Sequence, residues 1–320
     1  PAGHVHGEVP GHDQAHHPDR LAEGEVEAGL ADRDRLAEVL VGGAAVVLEH
    51  EADGEGLASR GADRLADVLA IDLGQWKLGL SYEYVNDDRV TDRGVPSLGC
   101  TAPCTPTPLP GYRDIFFGTP GVNRAGLEAH IVKARLDGEL AENLNWSTTL
   151  LYGDYDKYYS NVFANGAVSG TGTVALSSYT DPTKRKNFIA QSNLVWDVDF
   201  GSVGNKVLLG IEYGDQDSSN QRRNGTLSSG TLNLANIVYP TVTFGALARN
   251  TKSDVRFLSA YAQDQISFGE HVDLVVGLRY DRFEIKGTDL IPATPRTFGR
   301  TDEKVSPRIG LILKPQENIS

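Results

Sequence analysis

The feature that most restricts the fold is a strict alternation of apolar residues between positions 272 and 280. Apolar side chains occupy every second position, at Val272, Leu274, Val276, Leu278 and Tyr280. Asp273, Gly277 and Arg279 are among the residues between them. Because successive side chains of a β-strand point to opposite faces, this segment is predicted to be a strand with one apolar and one polar face.

The same period-two pattern recurs from residue 76 onwards and predicts eight strands. They lie near 76–84, 125–137, 144–152, 188–200, 207–213, 258–268, 272–280 and 305–313. Short links lie near 138–142, 200–205 and 269–271, and long links lie near 86–122, 159–186, 215–254 and 286–302. Such alternation is typical of outer-membrane barrels, which have short periplasmic turns and long outside loops.

Aromatic residues near the strand ends favour the same interpretation. Trp76 and Trp146 begin two strands, whereas Tyr84 and Tyr152 lie where those strands end. Amphipathic rings prefer the two membrane interfaces, so these positions are expected to form two belts. We therefore predict an all-β fold, an antiparallel transmembrane β-barrel fragment. A soluble β-sandwich is the structural alternative, but its strands are shorter and its loops rarely alternate so regularly.

Composition and charge exclude several classes of protein. The formal net charge of −13 falls almost entirely within residues 1–75. Neither part of the chain carries the basic stripe of a nucleic-acid-binding protein, so no nucleic-acid partner is expected. No run approaches the ~18 apolar residues of a transmembrane helix. The N-terminus has neither a basic start nor an apolar run, so no signal peptide is visible.

Residues 1–75 differ in composition from residues 76–320 and define a separate region. They contain no Phe, Tyr, Trp, Lys, Asn or Thr, and are rich in Ala, Gly, Asp, Glu and His. Such a bias is typical of GC-rich DNA read in a wrong frame, which predicts a foreign or mistranslated segment. The alternative is a short acidic segment that is α-helical or disordered, because DRLAEVL at 34–40 nearly repeats as DRLADVL at 63–69.

Histidines and cysteines provide weak signals for metal or disulfide chemistry. His4, His6, His16 and His17 are close in sequence, but no fixed ligand frame accompanies them and no metal site is expected. Cys100 and Cys104 lie in a proline-rich loop, and their spacing suits a small disulfide in an oxidising compartment. Two unpaired thiols are the alternative.

Five motifs in order resemble TonB-dependent receptors, and among them the catecholate-type siderophore receptors most. They are SYEYVNDDRVTDRGVPS at 81–97, YGDYDKYYSNVF at 152–163, LSAYAQDQISF at 258–268, VVGLRYDRFEI at 275–285 and RTDEKVSPRIGLILKP at 300–315. The resemblance covers residues 76–320, which are therefore expected to be part of a receptor barrel.

This resemblance implies a gated transporter for a ferric siderophore in the outer membrane of a Gram-negative bacterium. The family has a barrel of about 22 strands filled by an N-terminal plug. The resemblance also implies energy coupling through the TonB–ExbB–ExbD complex, contact with outer-membrane lipid, and no cofactor, since the iron–siderophore complex is the transported ligand. Residues 1–75 resemble neither plug nor TonB box. With about eight strands present, we expect an internal fragment that is inactive without the plug and the remaining strands.

A ferric catecholate is anionic and rich in aromatic rings, so a binding surface needs cations and aromatic side chains. The long loops are the expected place for them. The candidates are Arg89, Arg93, Tyr112, Arg113, Phe116, Phe117, Tyr158, Tyr159, Lys184, Arg185, Arg222 and Arg223. The alternative for each is a solvated loop charge or an interface ring.

Other functions have less support in the sequence. Asp264 and Arg279 are expected to lie near each other in the lumen, where they would shape its electrostatics. No nucleophile, phosphate-loop or metalloprotease motif occurs, so an enzyme is not expected. A passive porin-like channel and a soluble β-rich binding module are the alternative functions.

Overall fold

The computed structural model describes residues 35–41, 44–53, 62–99 and 105–315. Within these ranges the fold is all-β, and no helix is long and apolar enough to cross a bilayer. The strands in these ranges are β1 (Arg35–Val41), β2 (Ala44–Asp53), β3 (Ala62–Asp72), β4 (Trp76–Arg89), β5 (Arg124–Ala141), β6 (Leu144–Ala164), β7 (Thr173–Thr180), β8 (Thr183–Phe200), β9 (Val203–Leu227), β10 (Thr231–Asn233), β11 (Val242–Phe268), β12 (Val272–Asp289) and β13 (Arg296–Leu313).

All of the described strands belong to one antiparallel sheet. Its order is β1-β2-β3-β4-β5-β6-β7-β9-β11-β12-β13, with β8 paired to β6 and β9, and β10 paired to β7. The strand β6 pairs with β8 from Leu144 to Lys157 and with β7 from Ser160 to Ala164. The short strand β7 therefore lies beyond the end of β8 and continues the sheet towards the long links.

The eight strands predicted from the alternation are confirmed as β4, β5, β6, β8, β9, β11, β12 and β13. One register row crosses all eight and carries Trp76, Gly138, Trp146, Leu194, Leu209, Ala262, Leu278 and Pro307. We call the face that bears this row the lipid face. The opposite face, which bears Lys77, Glu212 and Arg279, is called the lumen face.

Several strands are longer than the sequence pattern predicted. The segment β9 continues to Leu227 and β11 begins at Val242, so most of the expected long link 215–254 is paired strand. The last link shrinks likewise to residues 290–295. Beyond the apolar band both faces carry polar side chains, so the alternation disappears although the backbone ladder continues. We call the ends of the strands at the long links the loop end, and the ends at the short links the turn end.

The structure differs from the helical expectation in the N-terminal region. Residues 35–41 and 62–72 form β1 and β3, and β3 pairs with β4 from Ala62 opposite Asp87 to Asp72 opposite Lys77. Helix propensity is a weak preference, and pairing with the free edge of β4 satisfies the same backbone groups. The domain boundary at residue 75 stays a prediction.

Two aromatic belts occur on the lipid face, as predicted. Trp76 and Trp146 share the register row described above, while Tyr82, Tyr152 and Phe188 share a second row. The two rows are separated by about 20 Å along the strands. This spacing brackets an apolar band of the height that outer-membrane barrels present to lipid.

Candidate ligand-binding site

The long links are held together by a hydrophobic core of their own, which we call the loop core. It consists of Leu109, Phe117, Val162, Val174, Leu176 and Leu232, each at most 9% exposed. These residues come from the β4–β5 link, from β6 and β7, and from β10. Burial of apolar area favours one packed arrangement of these segments, so the described loop region forms a defined surface.

Asn123 fastens the β4–β5 link to β6. Its side-chain amide donates to the carbonyl oxygens of Thr91 and Val162, both at 3.0 Å. Its Oδ1 atom accepts hydrogen bonds from the backbone N–H groups of Thr119 and Val162, both at 2.9 Å. Asn123 is only 3% exposed, so both donors and both acceptor sites of the amide are used away from water.

Beside the loop core, five side chains form what we call the aromatic–arginine cluster: Arg93, Tyr159, Phe163, Tyr179 and Arg222. The Tyr179 ring lies 5.9 Å from that of Tyr159 and 5.8 Å from that of Phe163. The guanidinium of Arg222 lies 4.1 Å from the Tyr179 ring centroid, and that of Arg93 lies 4.2 Å from the Phe163 centroid. Each cation is within the range of cation–π attraction.

The local sequence and the strand register explain why these groups meet. Tyr159 and Phe163 lie on the same face of β6 because they are four residues apart in an extended strand. Tyr179 is opposite Asn161 in the β6–β7 ladder, between those two positions. The cluster therefore lies on the lumen face at the loop end.

Asp181 fixes the position of Arg222. Its carboxylate pairs with the Arg222 guanidinium and also accepts a hydrogen bond from the side-chain amide of Asn220. Arg249 in turn donates to Asn220 Oδ1 at 3.0 Å. This chain of contacts holds the Arg222 guanidinium over the Tyr179 ring.

A cavity of about 680 Å³ opens next to the cluster. Its lining includes Arg89, Lys157, Tyr158, Tyr159, Tyr179 and Asp181. Arg89 pairs with Asp87 at 3.4 Å, whereas no ion pair of Lys157 or Arg93 occurs among the described residues. The cavity has the volume of a small-molecule site, and its lining combines aromatic rings with Lys157, which has no ion pair in the described part of the chain. Arg93 belongs to the neighbouring cluster.

The structure brings together four of the predicted ligand residues: Arg89, Arg93, Tyr159 and Arg222. Tyr158 follows Lys157 in β6, and its side chain points to the lipid face. The others lie elsewhere. Phe117 is 2% exposed in the loop core, and the centroid of the Tyr112 ring lies 6.3 Å from that of the Phe117 ring. Phe116 contacts Tyr239, Lys184 pairs with Asp156 at 2.8 Å, and Arg223 donates to the Gly245 carbonyl. Arg113 is exposed in the β4–β5 link, and Arg185 lines a smaller cavity of about 330 Å³.

Three residues of this region were not among the predicted ones. Lys157 and Phe163 could have been found, because they share the face of Tyr159 in the run Lys157, Tyr159, Asn161 and Phe163. Tyr179 could not have been found, since it reaches the site only through the β6–β7 pairing. Cys100, Cys104 and the N-terminal histidines His4, His6, His16 and His17 lie outside the described residues.

A second polar network occupies the lumen face nearer the turn end. Arg279 donates to Asp281 Oδ1 at 2.7 Å and to Glu212 Oε2 at 3.1 Å. The Tyr261 hydroxyl donates to Asn193 at 2.6 Å and accepts from Gln191 at 2.9 Å. These contacts join side chains of β8, β9, β11 and β12, which confirms the predicted lumen position of Arg279.

The prediction that Asp264 and Arg279 lie near each other in the lumen is wrong. Arg279 is opposite Tyr261 in the β11–β12 register and Asp264 is opposite Val276. Since Tyr261 and Asp264 are three residues apart in a strand without a bulge, their side chains point to opposite faces. Asp264 therefore lies on the lipid face, in line with Ala260 and Ala262.

Comparisons with known proteins agree with this architecture. Residues 69–320 match the family described as TonB dependent receptor-like, beta-barrel. The metal-pseudopaline receptor CntO of Pseudomonas aeruginosa strain UCBPP-PA14 is 27% identical over 249 residues, which cover 72% of this chain and 33% of that protein. The chain thus spans about a third of the length of the curated relatives that it matches.

Solved structures resemble the fold over most of the chain. The siderophore receptor PiuA from Acinetobacter baumannii superposes with a TM-score of 0.70 at 21% identity, covering 86% of this chain and 43% of PiuA. The ferric-catecholate import receptor Fiu from E. coli K12 superposes with a TM-score of 0.69 at 17% identity, covering 88% of this chain and 50% of Fiu.

The fold and the family model define part of the β-barrel of an outer-membrane protein. The chain belongs to the TonB-dependent receptor family, as part of its β-barrel. Members of this family are outer-membrane proteins of Gram-negative bacteria, which confirms the predicted localisation.

Proposed function

We propose that this chain forms part of the wall and outer loops of a receptor that takes up a ferric siderophore of the catecholate type. The observation that carries the proposal is the aromatic–arginine cluster beside the 680 Å³ cavity. A tris-catecholate iron complex presents flat rings and net negative charge. Tyr159, Phe163 and Tyr179 supply faces for stacking, and Arg93 and Arg222 supply charge next to them.

The loop core supports a preformed site. A ligand that binds a surface already held by packing and by Asn123 does not have to order those segments on binding. Arg222 is likewise held by Asp181 and Asn220 before a ligand arrives. The site would accordingly select ligands by shape as well as by charge.

Transport in the whole receptor would require parts beyond the barrel wall. We propose that a plug and the TonB–ExbB–ExbD complex act with this wall to move the captured chelate, as the family membership favours. This chain would bind the ligand and would supply the lumen face along which the chelate passes. No cofactor is part of this proposal, because the iron complex is the cargo.

A metallophore of the pseudopaline kind is a second candidate ligand. The observation in its favour is the sequence similarity to CntO, which is a metal-pseudopaline receptor. Its binding would make use of Lys157 and the two cluster arginines more than of the aromatic faces.

Competition binding separates these candidates. The chain, refolded in detergent, would be titrated with a gallium tris-catecholate followed by tryptophan and tyrosine fluorescence, and then challenged with zinc pseudopaline. We expect saturable catecholate binding that excess metal-pseudopaline does not displace. If metal-pseudopaline displaces the bound catecholate, the second candidate ligand would replace the catecholate assignment. Absence of saturable binding by either chelate would contradict both.

A further inference from the structure

A shallow apolar groove runs along β11 on the lipid face. Its floor consists of Ala260 and Ala262, and its sides are Leu209 and Ile211 on β9 and Leu278 and Tyr280 on β12. The two sides stand about 10 Å apart, because each strand is separated from β11 by one strand spacing of about 4.8 Å. The groove belongs to an open cavity of about 630 Å³ whose lining is mostly apolar. A single extended hydrocarbon chain fits between the two ridges.

An unusual charge lies just beyond one end of this groove. Asp264 follows Ala262 on the same face of β11, directly opposite Val207 on β9 and Val276 on β12. Its Oδ1 atom is buried and has no hydrogen-bond partner among the described residues. No ion pair of Asp264 occurs within that part of the chain either. A carboxylate between two valines on a lipid-facing surface is costly unless a cation or a donor reaches it.

The depth of Asp264 indicates where such a partner comes from. Asp264 shares its register row with Trp196, which is 44% exposed on the lipid face. Tryptophan prefers the level of the lipid headgroups. The strand β11 runs towards the short turn at residues 269–271, and short turns lie on the periplasmic side of outer-membrane barrels. Asp264 is therefore at the periplasmic headgroup level, and the groove leads from it towards the membrane centre.

We propose that this surface binds one amine-bearing phospholipid of the periplasmic leaflet. Its ammonium group pairs with the Asp264 carboxylate, and one acyl chain lies along Ala262 and Ala260 between the ridges of β9 and β12. The distance from Asp264 to Ala260 is about 13 Å along the strand, enough for much of one acyl chain. An ammonium headgroup supplies the positive charge that the Asp264 carboxylate lacks among the described residues.

The position of the groove favours a lipid over other occupants. It faces the bilayer rather than the lumen, so the siderophore ligand does not reach it. Its charge complements an ammonium headgroup and repels an anionic one. The proposal depends on the outer-membrane location but not on the identity of the transported ligand.

Native mass spectrometry of the full 320-residue chain tests the proposal. The chain would be inserted into nanodiscs that contain equal amounts of dioleoyl phosphatidylethanolamine and dioleoyl phosphatidylglycerol, and the lipids retained after release would be counted. We expect the wild-type chain to retain phosphatidylethanolamine over phosphatidylglycerol by roughly threefold to tenfold. The substitution Asp264→Asn should bring that ratio close to one, and Asp264→Glu should preserve it.

The groove is tested separately from the charge. The double substitution A260L and A262L fills the floor and should reduce retention of both lipids, whereas the matched variant A134L, on the lipid face of β5 opposite Leu80, should not. An Asp264→Asn variant that keeps the wild-type preference would overturn the proposal. So would equal retention of the two lipids by the wild-type chain, or failure of the chain to enter the nanodisc, since the groove would then not face lipid.

Discussion

The rings of Trp76 and Trp146 meet edge to face across β5, with their centroids 5.6 Å apart and their planes at 81°. Both residues are opposite Gly138 in register, one on each side. A Cβ atom at Gly138 would lie 1.9 Å from Trp76 Cε3, so the absence of a side chain makes this contact possible. The three residues thus form one packed unit in the aromatic belt at the turn end.

We predict that Gly138→Ala destabilises the chain, although alanine is usually the better strand residue. The new methyl group must displace the Trp76 ring, and overpacking of this kind costs about 1–3 kcal/mol. The matched control is Gly79→Ala on β4, where the nearest atom to a new Cβ is a backbone oxygen at 3.9 Å. Urea unfolding followed by tryptophan fluorescence in detergent measures both. Equal midpoints for the two variants would contradict the packing described for Gly138.

We predict that Asn123→Ala loosens the β4–β5 link. The change removes four buried hydrogen bonds and leaves the Thr91 and Val162 carbonyl oxygens without their side-chain donor. We expect the free energy of unfolding to fall by about 2–4 kcal/mol. Hydrogen exchange at the amides of residues 115–123 should speed up, while exchange in β11 and β12 should not change. Asn86→Ala, at an exposed position of β4, is the control and should leave both regions as they are.

A third prediction concerns the pH dependence of stability. Asp217 and Asp254 lie directly opposite each other in the β9–β11 ladder, beyond the aromatic belt at the loop end. The hydrogen bond with the Asp254 carboxyl raises the pKa of Asp217 above its ordinary value of 3.8, and desolvation and the negative charges of Asp254 and Asp215 act in the same direction. Arg256 opposes the shift, and Lys186 and Lys286 flank the pair in the register.

Because the folded state binds the Asp217 proton more tightly than the unfolded state, the stability from this pair is present below pH 3.8 and is lost as the pH rises through the raised pKa. The substitution Asp217→Asn should therefore stabilise the chain at pH 7, by less than about 1 kcal/mol because the pair is exposed. The gain should vanish in acid. Melting curves of the wild-type and Asp217→Asn proteins between acid and pH 7 measure this gain in stability. A gain that grew as the pH fell would contradict the raised pKa of Asp217.

The eight long strands could be predicted from sequence because a strand with one face to lipid must alternate, as at Val272–Tyr280. Their continuation past the lipid band could not, since Asp215, Asp217 and Ser219 are as polar as their neighbours and carry no period. The loop core was hidden for a different reason. Leu109, Val174 and Leu232 are far apart in the chain, and only the long-range pairing of β6, β7 and β10 brings them together.

The candidate site was partly predictable in the same physical sense. Loop arginines and tyrosines follow from the chemistry of an anionic aromatic ligand, and Arg89, Arg93, Tyr159 and Arg222 lie together at the cavity or in the cluster beside it. Tyr179 required the β6–β7 register, and the burial of Phe117 required the loop core. The position of Asp264, in contrast, could have been predicted, because strict counting of the period along β11 places its side chain on the lipid face.

We propose that the aromatic–arginine cluster binds a ferric siderophore. The most direct measurement is the dissociation constant of a gallium tris-catecholate for four forms of the chain: wild type, Arg93→Gln, Tyr179→Leu and Arg113→Gln. We expect at least about tenfold weaker binding for Arg93→Gln and Tyr179→Leu, because each removes a charge or a ring of the proposed site. Arg113→Gln, which removes an exposed arginine of the β4–β5 link outside the cluster, should bind as the wild type does. Equal affinities for all four forms would contradict the claim.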